Sequence, residues 1–149
     1  MTETALSADT LRVERTYDAP AQRVFDAWTN PEVMRRWFHA GDETWSTPVA
    51  EVDLRVGGGY VLTMRHGDGE ENTARGEYTV VDPPNRLAFT WTWGAEDSPR
   101  TAVEIEFTEV DGATTVVLTH SGLSGESSRD GHTEGWQQAL ENLARELEA

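Results

Sequence analysis

The stretch LAFTWTW, Leu87 to Trp93, sets Leu, Phe, Trp and Trp at alternate positions, with Ala, Thr and Thr between them. Strict alternation of bulky apolar and small residues predicts a half-buried β-strand, whose successive side chains leave on opposite faces. One face is therefore heavily apolar. Each aromatic ring on it can bury roughly 150–250 Å², so the stripe demands a substantial covering layer or a hydrophobic guest.

The same period of two extends on both sides, with strands expected near 49–54, 58–66, 74–82, 86–93, 101–110 and 113–121 and an earlier one at LRVERTY (11–17). Asp111-Gly112 reads as a tight hairpin turn and HGDGEENT (66–73) as a longer polar loop. Asp82-Pro83-Pro84-Asn85 breaks the ladder, because proline has no amide hydrogen to donate. In DAPAQRVFDAWTNPEVMRRWF (18–38), Val24, Phe25, Ala27 and Trp28 recur at helical spacing behind a capping Asp18 and Pro20 in the first turn. Asn30-Pro31 then stops that helix and starts a short second one bearing Val33, Met34, Trp37 and Phe38. A Gly/Ser-rich loop, SGLSGESSRDG (121–131), leads to a last amphipathic helix over 132–147, with His132, Trp136, Ala139, Leu140, Leu143, Ala144 and Leu147 on one face.

The order strand, two short helices, six strands, long helix predicts an α+β fold, with helices gathered on one face of an antiparallel sheet. A single domain over 11–149 is expected behind a flexible tail at 1–10. Seven strands at about 4.8 Å spacing span roughly 30 Å, whereas one helix covers about 10–12 Å. The sheet must curl around the helix, or an apolar cavity must remain between them.

Twelve basic residues against 27 acidic ones give a net charge of −15, which repels nucleic acid and anionic lipid surfaces. The absence of cysteine excludes disulfides and thiol chemistry and accords with a reducing compartment. No apolar run is long enough to span a membrane and no signal-peptide pattern opens the chain, so a cytoplasmic location is expected. His39, His66, His120 and His132 lack metal-ligand spacing, and Gly57-Gly58-Gly59 leads into a strand without the Lys-Ser/Thr of a phosphate loop. No metal or cofactor is expected.

The segments APAQRVFDAWTNPEVMRRWF, DLRVGGGY, GEYTVVDPPNRLAFTWTW, TTVVLTHSGL and GWQQALENL occur in this order across Leu11 to Leu147. Together they resemble the bacterial branch of the START-like (SRPBCC, helix-grip) superfamily named after the activator of the heat-shock chaperone ATPase. The resemblance implies a curved sheet gripping the C-terminal helix, with a tunnel between them that takes lipids, sterols, polyketides or other apolar molecules in various members. It does not imply one activity. Where the family often has paired tryptophans this chain has Trp37-Phe38, which implies an altered cavity mouth.

Strand parity places Tyr60, Leu62, Met64, Tyr78, Val80, Val103, Ile105, Phe107, Val116, Leu118 and His120 on the same face as the stripe. The expected cavity wall comprises Trp28, Trp37, Tyr60, Met64, Tyr78, Phe89, Trp91, Trp93, Phe107, His120, Trp136 and Leu140, weighed against a plain packed core. His120 is the one catalytic candidate, as an inward histidine able to bind ligand or move a proton. Gly135, costly inside a helix, suggests a close approach to sheet or ligand. Binding of a small hydrophobic or aromatic molecule leads. The alternatives are a chaperone-associated stress-response partner and a cyclase- or hydrolase-type enzyme using the same cavity. The protein is expected as a monomer or homodimer.

Overall fold

The computed structural model describes residues 9–39, 44–94 and 100–148. Its elements run β1 (Thr10–Tyr17), α1 (Ala21–Thr29), α2 (Pro31–Trp37), β2 (Trp45–Val52), β3 (Gly59–His66), β4 (Glu71–Asp82), β5 (Arg86–Trp93), β6 (Thr101–Val110), β7 (Ala113–Ser121) and α3 (Glu126–Glu148). The strands form one antiparallel sheet in the order β1-β7-β6-β5-β4-β3-β2. Consecutive strands from β2 to β7 are neighbours through hairpins, and β1 returns to pair with β7. The α1–α2 pair thus carries the chain between the two edges of the sheet. This is the expected α+β helix-grip architecture. Of the tail expected over 1–10, residues 1–8 lie outside the described residues, and Thr10 already belongs to β1.

Local chemistry explains most boundaries. Asp111 and Gly112 both have positive φ (54° and 82°), as a two-residue hairpin turn requires, and Val110 pairs with Ala113 across it. Asn30 caps α2 by accepting from the Glu32 amide at 3.0 Å, with Pro31 in the first turn. The expected Asp18 cap of α1 is not made. Pro20 occupies that position, and the Ala21 amide instead donates to Glu109 on β6 at 2.8 Å.

Three strand expectations change. β2 starts at Trp45 and runs through Pro48, which is tolerated because β2 is an edge strand with a bulge between Ser46 and Val49. Half of the polar stretch 66–73 is ladder: a short turn over 67–70 suffices, and Glu71 already pairs with Arg65. In β4 a bulge between Tyr78 and Val80 flips the parity, so Val81 rather than Val80 packs against the core. Gly76 marks another constraint on β4, where an added Cβ would lie 1.9 Å from the Thr90 carbonyl oxygen. The Tyr60 ring covers that glycine, and its hydroxyl donates to the same carbonyl.

α3 begins six residues before the expected start, absorbing much of the Gly/Ser-rich segment. Once a turn is nucleated, each added residue gains a hydrogen bond, so weak helix formers are recruited at small cost. None of its buried residues precedes Trp136. The later turns sit close to β1 and α2, where Tyr17 donates its hydroxyl to the Leu140 carbonyl at 2.8 Å. Arg36 pairs with Glu146 at 2.8 Å on the outside of the same contact.

Candidate ligand cavity

The stripe of β5 has two fates. Leu87 and Phe89 are enclosed in the core, whereas Trp91 and Trp93 reach a cavity of about 640 Å³ between the early turns of α3 and strands β3 to β5. Phe38, Met64, Trp91, Trp93 and Trp136 supply most of its apolar wall, with Glu71, Asn72, Thr73, His39 and His132 among the polar residues. Its origin lies in α3: Ser128, Gly131, Gly135 and Ala139, spaced three and four apart, all line it and none is large. A helix face without bulk, set opposite a strand face of indoles, leaves a gap. A second groove of about 690 Å³ on the outer sheet face is edged by Glu51, Asp53, Glu77, Arg75 and Arg100 and lacks that apolar character.

Of the residues expected on the wall, Met64, Trp91, Trp93 and Trp136 line this cavity. Trp28, Tyr60, Tyr78 and Phe89 surround a separate void of only about 10 Å³, the size of a single water. Trp37 is fully enclosed, with its N–H on the Ala27 carbonyl at 2.9 Å, and Phe107 packs edge-on against Phe25 at 5.4 Å. Leu140 is buried, and its carbonyl accepts from the Tyr17 hydroxyl. Phe38 borders both spaces.

His120 does not line the cavity. It lies behind Trp136, fully buried, with both ring nitrogens engaged. An indole N–H can only donate, so the 3.0 Å contact from Trp136 Nε1 makes His120 Nδ1 the acceptor. Nε2 therefore carries the proton and donates to Thr101 Oγ1 at 2.7 Å, and that hydroxyl donates in turn to the Trp91 carbonyl at 3.0 Å. Burial, and then the neighbouring His132 ring 5.1 Å away, push the His120 pKa from 6.5 down to about 3. His120 is a neutral positioning residue that sets two tryptophans of the wall.

His132 repeats the pattern one layer out. Its Nδ1 donates to the Ser128 carbonyl at 2.8 Å, so Nε2 accepts the Trp93 indole N–H at 3.0 Å. The N–H groups of Trp28 and Trp91 are enclosed and have no acceptor.

Sequence reasoning placed Phe38 at the cavity mouth but missed His39, Glu71, Asn72, Thr73, Gly94, Ser128, Gly131 and Ala139. Five of them, Glu71 to Thr73, Ser128 and Gly131, fall in segments read as loops. The signal that would have found the helix side is the recurrence of small residues at 128, 131, 135 and 139.

A family model for Activator of Hsp90 ATPase homolog 1-like protein matches residues 18–148. The chain belongs to that family. No curated protein matches it in sequence. Among solved structures it is similar to the AHSA1 protein from Silicibacter pomeroyi, at 28% identity over 93% of this chain and 96% of that one, with a TM-score of 0.81. The AHSA1-like protein from Aeromonas hydrophila has 28% identity, 92% coverage of each chain and a TM-score of 0.77. A protein from Chromobacterium violaceum shares the fold at 24% identity, with 92% and 95% coverage and a TM-score of 0.83. The family is START-like, and members of it have bacterial sources. Among the described residues no helix is long and apolar enough to cross a membrane.

Proposed function

We propose that the protein binds a small apolar molecule in the cavity between α3 and strands β3 to β5. The observation that carries this is the space itself: about 640 Å³, walled by three indoles, within the usual range for small-molecule sites. The sheet faces this part of the helix across small side chains, so the gap follows from the sequence of α3. His120 holds the wall in place and does not touch the ligand.

A chaperone-docking role draws no support from the surface. Among the described residues the exposed large apolar side chains are Leu54, Val56 and Val110, and Val110 lies on a different hairpin from the other two. Docking surfaces are contiguous patches of several hundred Å².

Titration with Nile red, a neutral environment-sensitive dye, tests the reading. Saturable binding is expected, and Gly131→Phe should abolish it, because a Cβ at Gly131 meets nothing within 4 Å and the new ring has room to fill the mouth. Unchanged binding in a folded Gly131→Phe protein, or no binding by the parent, would overturn it.

A further inference from the structure

The chemistry of the wall selects among apolar ligands. Its described residues include no lysine or arginine, and its one carboxylate, Glu71, is already paired with Arg65 at 2.6 Å. A bound anion would find no fixed positive charge to replace its hydration, and burying an unpaired carboxylate is strongly unfavourable.

A cation meets a different surface. The Trp91 ring lies 5.2 Å from both Trp93 and Trp136. Trp93 and Trp136 have committed their N–H groups to His132 and His120, and that of Trp91 is enclosed. The indoles thus bring carbon surface to the wall and no free N–H, and an indole ring is the strongest aromatic partner for a cation. His132 donates at Nδ1 and accepts at Nε2, the hydrogen-bond pattern of the uncharged ring.

We propose that this cavity takes apolar organic cations, such as quaternary ammonium or N-alkylated aromatic molecules, in preference to anions of the same skeleton. The proposal rests on the cavity being a binding site, and the test separates the two. Three anthracene probes sharing one ring system are titrated against tryptophan fluorescence: (9-anthrylmethyl)trimethylammonium, neutral 9-anthracenemethanol, and 9-anthracenecarboxylate. The cation is expected to bind at least about tenfold more tightly than the carboxylate, with the alcohol between them. The order should survive 0.5 M NaCl, which screens the distant surface carboxylates but not contact with a ring face. Trp93→Leu should narrow the gap between cation and alcohol.

Binding of the alcohol with the carboxylate equal to or tighter than the cation would overturn the charge preference and leave the cavity reading intact. A preference that vanishes in salt would assign it to the net charge of the chain and overturn the role of the indoles. Failure of all three probes would remove the binding site itself.

Discussion

The two halves of α3 face the same sheet and do opposite things. From Leu140 to Leu147 the helix presents Leu140, Leu143, Ala144 and Leu147, all buried, and Tyr17 and Arg36 tie it to β1 and α2. From Ser128 to Ala139 four of the residues it presents, Ser128, Gly131, Gly135 and Ala139, are small, and beside His132 and Trp136 a cavity replaces the contact. Trp136 is the boundary, touching Trp28, Phe38 and Trp91 with its ring and His120 with its N–H. One helix is thus a structural prop at one end and a cavity wall at the other, and the difference lies in side-chain volume at four positions.

The sharpest way to break this comparison is at its boundary. Trp136→Ala should cost about 4 kcal/mol in chemical denaturation, since it removes a buried ring and orphans His120 Nδ1 together. A cost under about 1 kcal/mol would mean the helix is not held there. Next, the two halves should respond unequally to truncation. Leu143→Ala, in the closed half, should lose about 3 kcal/mol, whereas Trp93→Ala, a larger deletion beside the cavity, should lose only about 1–2 kcal/mol in ligand-free protein. Equal losses would show both halves to be packed alike.

The pH dependence sharpens the boundary further. His120 is uncharged in the folded state down to about pH 3, while the unfolded chain binds its proton near pH 6.5. The unfolded state therefore holds more protons in this window, so stability is full above pH 6.5 and declines as pH falls, by up to about 1.4 kcal/mol per unit. His120→Asn should flatten that slope between pH 6 and 4, read from urea midpoints at each pH. An unchanged slope would locate the acid sensitivity in groups other than His120. The smallest effect belongs to the open end: Gly131→Ala should gain roughly 0.5–1 kcal/mol from helix propensity, because its Cβ meets no neighbour within 4 Å. A loss would show that this turn of α3 is not free of contacts.

Particular elements show what was legible. Asp111-Gly112 encodes its turn because few residue pairs adopt two consecutive positive φ values. Asn30-Pro31 encodes the break between helices for an equally local reason. The stretches 66–73 and 126–131 were misread because their composition is loop-like. Their structure comes from partners elsewhere: the β3 ladder for the first, and continuity with a helix whose buried residues begin at Trp136 for the second.

The sequence by itself determined the strand succession, the turns, the apolar stripe of β5 and the amphipathic face of α3, because each rests on periodicity or on backbone preference within a few residues. Tertiary structure alone decided which parts of that stripe became core and which became cavity wall. Leu87 and Trp93 are equivalent by parity; what separates them is that packed core encloses one while the small face of α3 lies opposite the other. The same holds for His120. Its inward position was readable from β7, but its role was fixed by an indole N–H arriving from α3 and a hydroxyl from β6, contacts that no spacing along the chain records.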